Sequence, residues 1–276
     1  MLDQIFVFDI ETVPDGAAVK SLTGYAGDDI QKQREELSRY HLEITAGRSD
    51  FPRQCFHKVV AISFLRASIL RDGNHEAYQL KELRSGGTAA SDEKELIKGF
   101  FHYAGKHLPR LVSYNGRTFD IPVLKYRAMK YGISADWFYQ SGDKWANYNQ
   151  RYAKEWHCDL FDVLSDYGAS ARSKMNELCA ALDLPGKVGV DGSDVARLYD
   201  ENKIQDIRDY CETDVVNTFL LYLRYALHSG ITDVDGYNHS CILLQSHLEE
   251  QAEHRPAYQD FLDAWKLSSD GTFSTF

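Results

Sequence analysis

The stretch Gln4–Ile10 (QIFVFDI) is apolar enough to be buried, yet it carries Asp9 and leads at once to Glu11; in full, Phe6–Asp15 reads FVFDIETVPD. Residues i and i+2 of a strand share a face. A strand here aims two carboxylates the same way, where they repel. Either the strand simply ends in solvent at this point, or something makes the pairing worthwhile.

The remaining pattern expects an α/β chain. Val19–Arg53 is polar and charged, and DDIQKQREELSRYHLE within it has helical spacing, so a helical insertion follows the first strand. His57–Leu70 is rich in β-branched and apolar residues and can pair with His75–Leu80 as a hairpin. Ser91–Leu108 is amphipathic with an acidic first turn, and Pro109 ends it. Arg110–Asn115 reads as a strand and Phe119–Gly132 as a helix that tolerates Pro122 in its first turn. Ser134–Glu155 has no clear period and reads as loop or hairpin; His157–Ser165 reads as a short strand. Lys174–Leu184, about Ser193–Asn202, Lys203–Gly230 and two later segments read as helices. Strands come first and then alternate with helices, which predicts a mixed central sheet flanked by helices.

Composition narrows the function classes. The chain has 276 residues, with 31 Lys+Arg against 41 Asp+Glu and a formal charge of −10. That balance argues against nucleic-acid binding through a broad basic face, but not against a pocket where cations draw in phosphate. The five cysteines form no CxxC pair, so neither a zinc framework nor a secreted disulfide scaffold is expected. Asp3 and Asp9 interrupt any signal-peptide run, and no stretch is apolar for long enough to span a membrane. The expectation is a soluble, cytoplasmic protein without a membrane partner.

Three stretches place acids in apolar surroundings: Asp9 with Glu11, Asp120 in YNGRTFD, and Asp214 in YCETDVV. On a helix, Tyr210 lies one turn from Asp214 on the same face. Four carboxylates from a strand, a loop-helix junction and a helix can converge on two divalent cations, Mg2+ or Mn2+. Such ions prefer hard oxygen ligands and leave positions for phosphate and water. Repulsion between Asp9 and Glu11 then becomes metal affinity.

Taken together, FDIET (Phe8–Thr12), NGRTFD (Asn115–Asp120) and YCETD (Tyr210–Asp214) resemble the three motifs of DEDD exonucleases on a ribonuclease H-like fold. Tyr210 marks the DEDDy branch, and the position used by the histidine branch is Asp209. The resemblance is nearest to the predicted 3'-5' exonucleases related to the proofreading domain of family B DNA polymerases. It covers about Ile5–Leu227 and includes LPGKVGVDGSDV (Leu184–Val195). It implies residues 1–230 as an exonuclease domain with an insertion at about 19–56, and 231–276 as a helical extension packed on it.

The resemblance further implies Asp9, Glu11, Asp120 and Asp214 as metal ligands and Tyr210 as the residue that orients the attacking water. Glu11 and the backbone around Thr12 would meet the terminal 3'-hydroxyl. Asn115 would contact substrate or only hold its turn, and Phe119 would pack or abut a nucleotide. Arg117 would belong to a basic rim or a solvated helix face, and Lys187 would touch phosphate or be a simple loop charge. The expected activity is metal-dependent hydrolysis at single-stranded 3' ends, DNA favoured, releasing nucleoside 5'-monophosphates. An RNA-trimming enzyme of RNase D type and a non-catalytic binding module of the same fold are the alternatives. Any protein partner in repair or replication is unspecified.

Overall fold

The computed structural model describes residues 2–187, 189, 192–269 and 271–274. Its centre is one five-stranded sheet: β1 (Gln4–Pro14), β2 (His57–Asp72), β3 (His75–Ser85), β4 (Arg110–Ser113) and β5 (His157–Asp159), in the order β3-β2-β1-β4-β5. The β1–β2 and β2–β3 pairs are antiparallel, and β4 and β5 join in parallel. The mixed α/β sheet with flanking helices agrees with the expected ribonuclease H-like fold.

The insertion forms α1 (Val19–Thr23) and α2 (Ile30–Ile44). Next come α3 (Glu93–His107), started by an Asp92/Glu95 capping box, and α4 (Asp120–Tyr131), closed by Gly132 at positive φ. The Ser134–Glu155 region is mostly turns around α5 (Asp136–Gln140). The expected strand His157–Ser165 ends at Asp159, because that side chain caps α6 (Leu160–Val163) by accepting from Phe161 N. Then follow α7 (Met175–Ala181), α8 (Val195–Asp200), the long α9 (Ile204–His228), α10 (Val234–Ala252) and α11 (Pro256–Ser268).

Strand alternation sorts the core into two layers. Phe6, Phe8 and Ile10 pack with Phe100 of α3 and Leu124 of α4. Ile5 and Val7 pack on the other face with Val215, Val216 and Phe219 of α9, where Tyr237, Phe261 and Trp265 of the last two helices join the same cluster. Every second residue of β1 therefore faces α9, and Asp9 and Glu11 fall on that face.

Candidate active site

β1 does not stop before its acids. It pairs with β2 as far as Pro14, opposite His57, so Asp9 and Glu11 lie inside a strand rather than at a frayed end. The register slips between Glu11 and Thr12, a bulge of the kind that re-aims side chains. Val7 on one side and Val13 on the other belong to apolar clusters that bracket the two carboxylates. Opposite them runs α9, where Tyr210, Cys211 and Asp214 lie within one helical turn, all buried. Cys211 Sγ is 3.5 Å from the Asp9 carbonyl and 3.6 Å from its Oδ2. One ligand atom each from Asp9, Glu11 and Cys211 lies within 4.8 Å of the others.

Asp120 arrives from the sheet's C-terminal edge. β4 ends at Ser113, and the chain turns through Asn115 at φ 67°. Gly116 follows; a Cβ there would come within 2.5 Å of Ser113 Oγ, so the turn excludes a side chain at that position. Asp159 accepts from Asn115 N at 2.8 Å and Arg117 N at 2.7 Å, which fixes the turn from β5. α4 then opens with Asp120 itself, buried, where its own backbone N–H and that of Ile10 on β1 lower the cost of its charge.

The electrostatics follow from this crowding. Burial, then the charges of Asp120 and Asp214, push the Asp9 carboxyl well above the usual range. Burial, then Asp9 and Asp214, do the same to Glu11. Burial pushes Asp120 up to about 7, with its own and the Ile10 backbone N–H groups holding it down against Asp159. Burial and then Asp214 raise the Tyr210 hydroxyl, which stays protonated. Burial and Asp9 also raise the Cys211 thiol. Lys187 is the cation that faces them: its Nζ is 3.3 Å from Asp214 Oδ2 and donates to Tyr210 Oη. Burial works against its charge, but Asp214 and then Glu11 and Asp9 outweigh it and lift the ammonium above its usual value.

The other residues singled out by sequence are more dispersed. Thr12 Oγ1 lies 2.9 Å from His57 Nδ1. Asn115 Oδ1 accepts from Thr118 Oγ1, and its carbonyl accepts from the N–H groups of Thr118 and Phe119, so its polar atoms serve the turn. Arg117 donates to the carbonyls of Tyr148, Gln150 and His157, which ties the second motif to the following loop. Phe119 is half-buried against Phe51 and His57. Of the Leu184–Val195 segment, Val188, Val190 and Asp191 lie outside the described residues.

Sequence reasoning passed over two residues. Cys211 was readable as the residue three before Asp214 on one helical face. His57 had no local signal, because it acts on a stretch far away in the chain, and Asp159, noticed only as an acid near a strand end, gave no sign of the turn that it holds.

No curated protein matches the chain. Residues 49–265 match the family described as predicted 3'-5' exonuclease related to the exonuclease domain of PolB. The match takes in Asp120, Tyr210 and Asp214 and runs on through α10 into α11, while Asp9 and Glu11 precede it on β1. With more than half of its length matched, the chain belongs to the family of predicted 3'-5' exonucleases related to the exonuclease domain of PolB.

Proposed function

We propose that the protein is a DEDDy exonuclease that hydrolyses the terminal phosphodiester of single-stranded nucleic acid, DNA favoured, and releases nucleoside 5'-monophosphates. The reading is carried by one observation: buried carboxylates from β1, α4 and α9 lie near enough for the charges of Asp120 and Asp214 to raise Asp9, and for those of Asp9 and Asp214 to raise Glu11. Such a pocket is costly without cations.

The donor set fits two hard divalent ions, Mg2+ or Mn2+. Asp9, Glu11, Asp120 and Asp214 supply oxygen, the donor that such ions prefer. When bound, such ions stabilise charge on a phosphodiester and activate water. Tyr210, kept neutral, orients the attacking water through its hydroxyl rather than acting as a base. Lys187, beside both Tyr210 and Asp214, is placed to meet a phosphate oxygen. Glu11 and the backbone around Thr12 meet the 3'-hydroxyl, and Phe119 abuts the terminal nucleotide. Arg117 and Asn115 act by holding the turn that presents Asp120.

The test uses 5'-labelled DNA and RNA strands with free or blocked 3' ends, in Mg2+, Mn2+ or EDTA. Stepwise, metal-dependent shortening of free ends only, lost in Asp214→Ala, is expected. Absence of trimming on every free end, or trimming that survives Asp214→Ala, defeats the reading.

A further inference from the structure

The insertion between β1 and β2 returns to the sheet through Phe51–Phe56, and this return packs against the turn that leads into Asp120: Gln54 meets Thr118 and Phe51 meets Phe119. Phe51 is 59 % exposed, which alone means nothing, since single exposed apolar side chains are ordinary. Its surroundings are unusual for a surface ring. The Phe51 ring centroid is 4.9 Å from that of His57 and 6.0 Å from that of Phe119, and His57 meets Phe119 edge-on at 5.0 Å. Phe119 immediately precedes Asp120, and His57 holds Thr12, the residue after Glu11. The three rings form a shelf that is joined to the acids through the chain, by Phe119 next to Asp120 and by Thr12 next to Glu11.

The shelf is held in place from several sides. His57 is buried and neutral; its Nε2 donates to the Pro52 carbonyl at 2.9 Å, and Nδ1 then accepts from the Thr12 hydroxyl. Gln54 Nε2 donates to the Thr118 carbonyl at 3.1 Å. Arg53 N donates to His41 Nε2 of α2 at 3.1 Å, and Asp15 N donates to the Phe56 carbonyl at 2.7 Å. An exposed aromatic ring fixed by its neighbours offers a planar apolar face at little entropic cost.

We propose that Phe51, with Phe119 and His57 behind it, is the platform on which the base of the 3'-terminal nucleotide stacks. The inference rests on the exonuclease reading for its ligand, and it assigns the insertion a part in the site. Stacking accepts any base, because every base has a π face, and it favours unpaired ends, whose terminal base is free to leave its neighbour.

The experiment measures binding of a strand ending in 2-aminopurine, with Ca2+ replacing Mg2+ to withhold cleavage. Quenching of the probe on wild-type protein is expected. Phe51→Ala should lose the quench and weaken binding roughly tenfold, the size of one stacked base, and Phe51→Tyr should restore both. A strand with an abasic 3' end should bind wild type and Phe51→Ala equally. A Phe51→Ala protein that binds and quenches like wild type overturns the platform, as does equal weakening on base-bearing and abasic ends, or failure of Phe51→Tyr to restore binding. The wider reading is judged separately by Mn2+-dependent trimming. Trimming with an indifferent Phe51 removes only the platform, and quenching without trimming removes only the exonuclease.

Discussion

At the scale of single residues, the proposed site divides the acids, which would hold the cations, from Tyr210, which would orient the water. Asp120→Ala or Asp214→Ala removes an oxygen ligand, and trimming should fall on the order of thousands-fold. Calorimetry on the same variants should show weakened Mn2+ binding. Tyr210→Phe keeps every carboxylate, so Mn2+ binding should persist while kcat drops about a hundredfold, the scale of one lost orienting hydrogen bond. If Tyr210→Phe loses Mn2+ binding as badly as Asp214→Ala does, the division of roles is wrong. The motifs themselves were legible in the sequence because each is local: i and i+2 on a strand, i and i+4 on a helix. Asp159, which fixes the Asn115–Arg117 turn through two backbone N–H groups, was not legible as a partner, since 42 to 44 residues separate it from what it holds.

At the scale of elements, α9 serves both pocket and core. Its pocket face presents Tyr210 and Asp214, while buried Glu212 accepts from Ser85 N and Oγ at 2.7 Å each and from Arg255 Nη2 and Tyr258 Oη at 2.5 Å. Glu212→Ala strips the Ser85 N–H and the Tyr258 hydroxyl of their acceptor, while Arg255, 26 % exposed, keeps Asp209 at 2.6 Å, so urea melts should show a loss of about 1–3 kcal/mol. A loss under about 1 kcal/mol, the range of surface pairs, would mean that this network does not clamp α11 to α9. β5 carries a pH sensor of stability. His157 is buried with Nε2 2.8 Å from Ser113 Oγ, and burial, then Arg117 and Lys125, hold its pKa well below the ordinary value. The unfolded chain takes up a proton below about pH 6.5 that the native ring refuses. The contribution is therefore intact above that pH and lost as pH falls toward the native pKa. The stability gap between wild type and His157→Gln should shrink from pH 7.5 to pH 5.5, by up to about 1.4 kcal/mol per unit; a constant gap contradicts the assignment. β1 was misjudged in length for a tertiary reason: its last residues look like a strand end by composition, but β2 pairs with them through Pro14.

At the scale of the whole molecule, a chain of net charge −10 concentrates further repulsion in one pocket, so cations should stabilise the fold itself. Mn2+ at about a hundredfold excess over its Kd should add about 2.7 kcal/mol and raise Tm by several degrees. The Asp9→Asn/Asp214→Asn pair should show little of that shift, and an unresponsive wild type would contradict the cation pocket. The order of strands and helices, the amphipathic faces and the acid motifs follow from local spacing and patterning, which a linear chain carries in full. Which distant groups touch does not. The Glu11–Thr12 bulge, the thiol of Cys211 against Asp9, the Lys187 ammonium between Tyr210 and Asp214, and the return of the insertion to set Phe51 on Phe119 each depend on the sheet closing between α9 and α4. Burial and charge–charge coupling act over a few ångströms of space, and only the packed fold sets those distances.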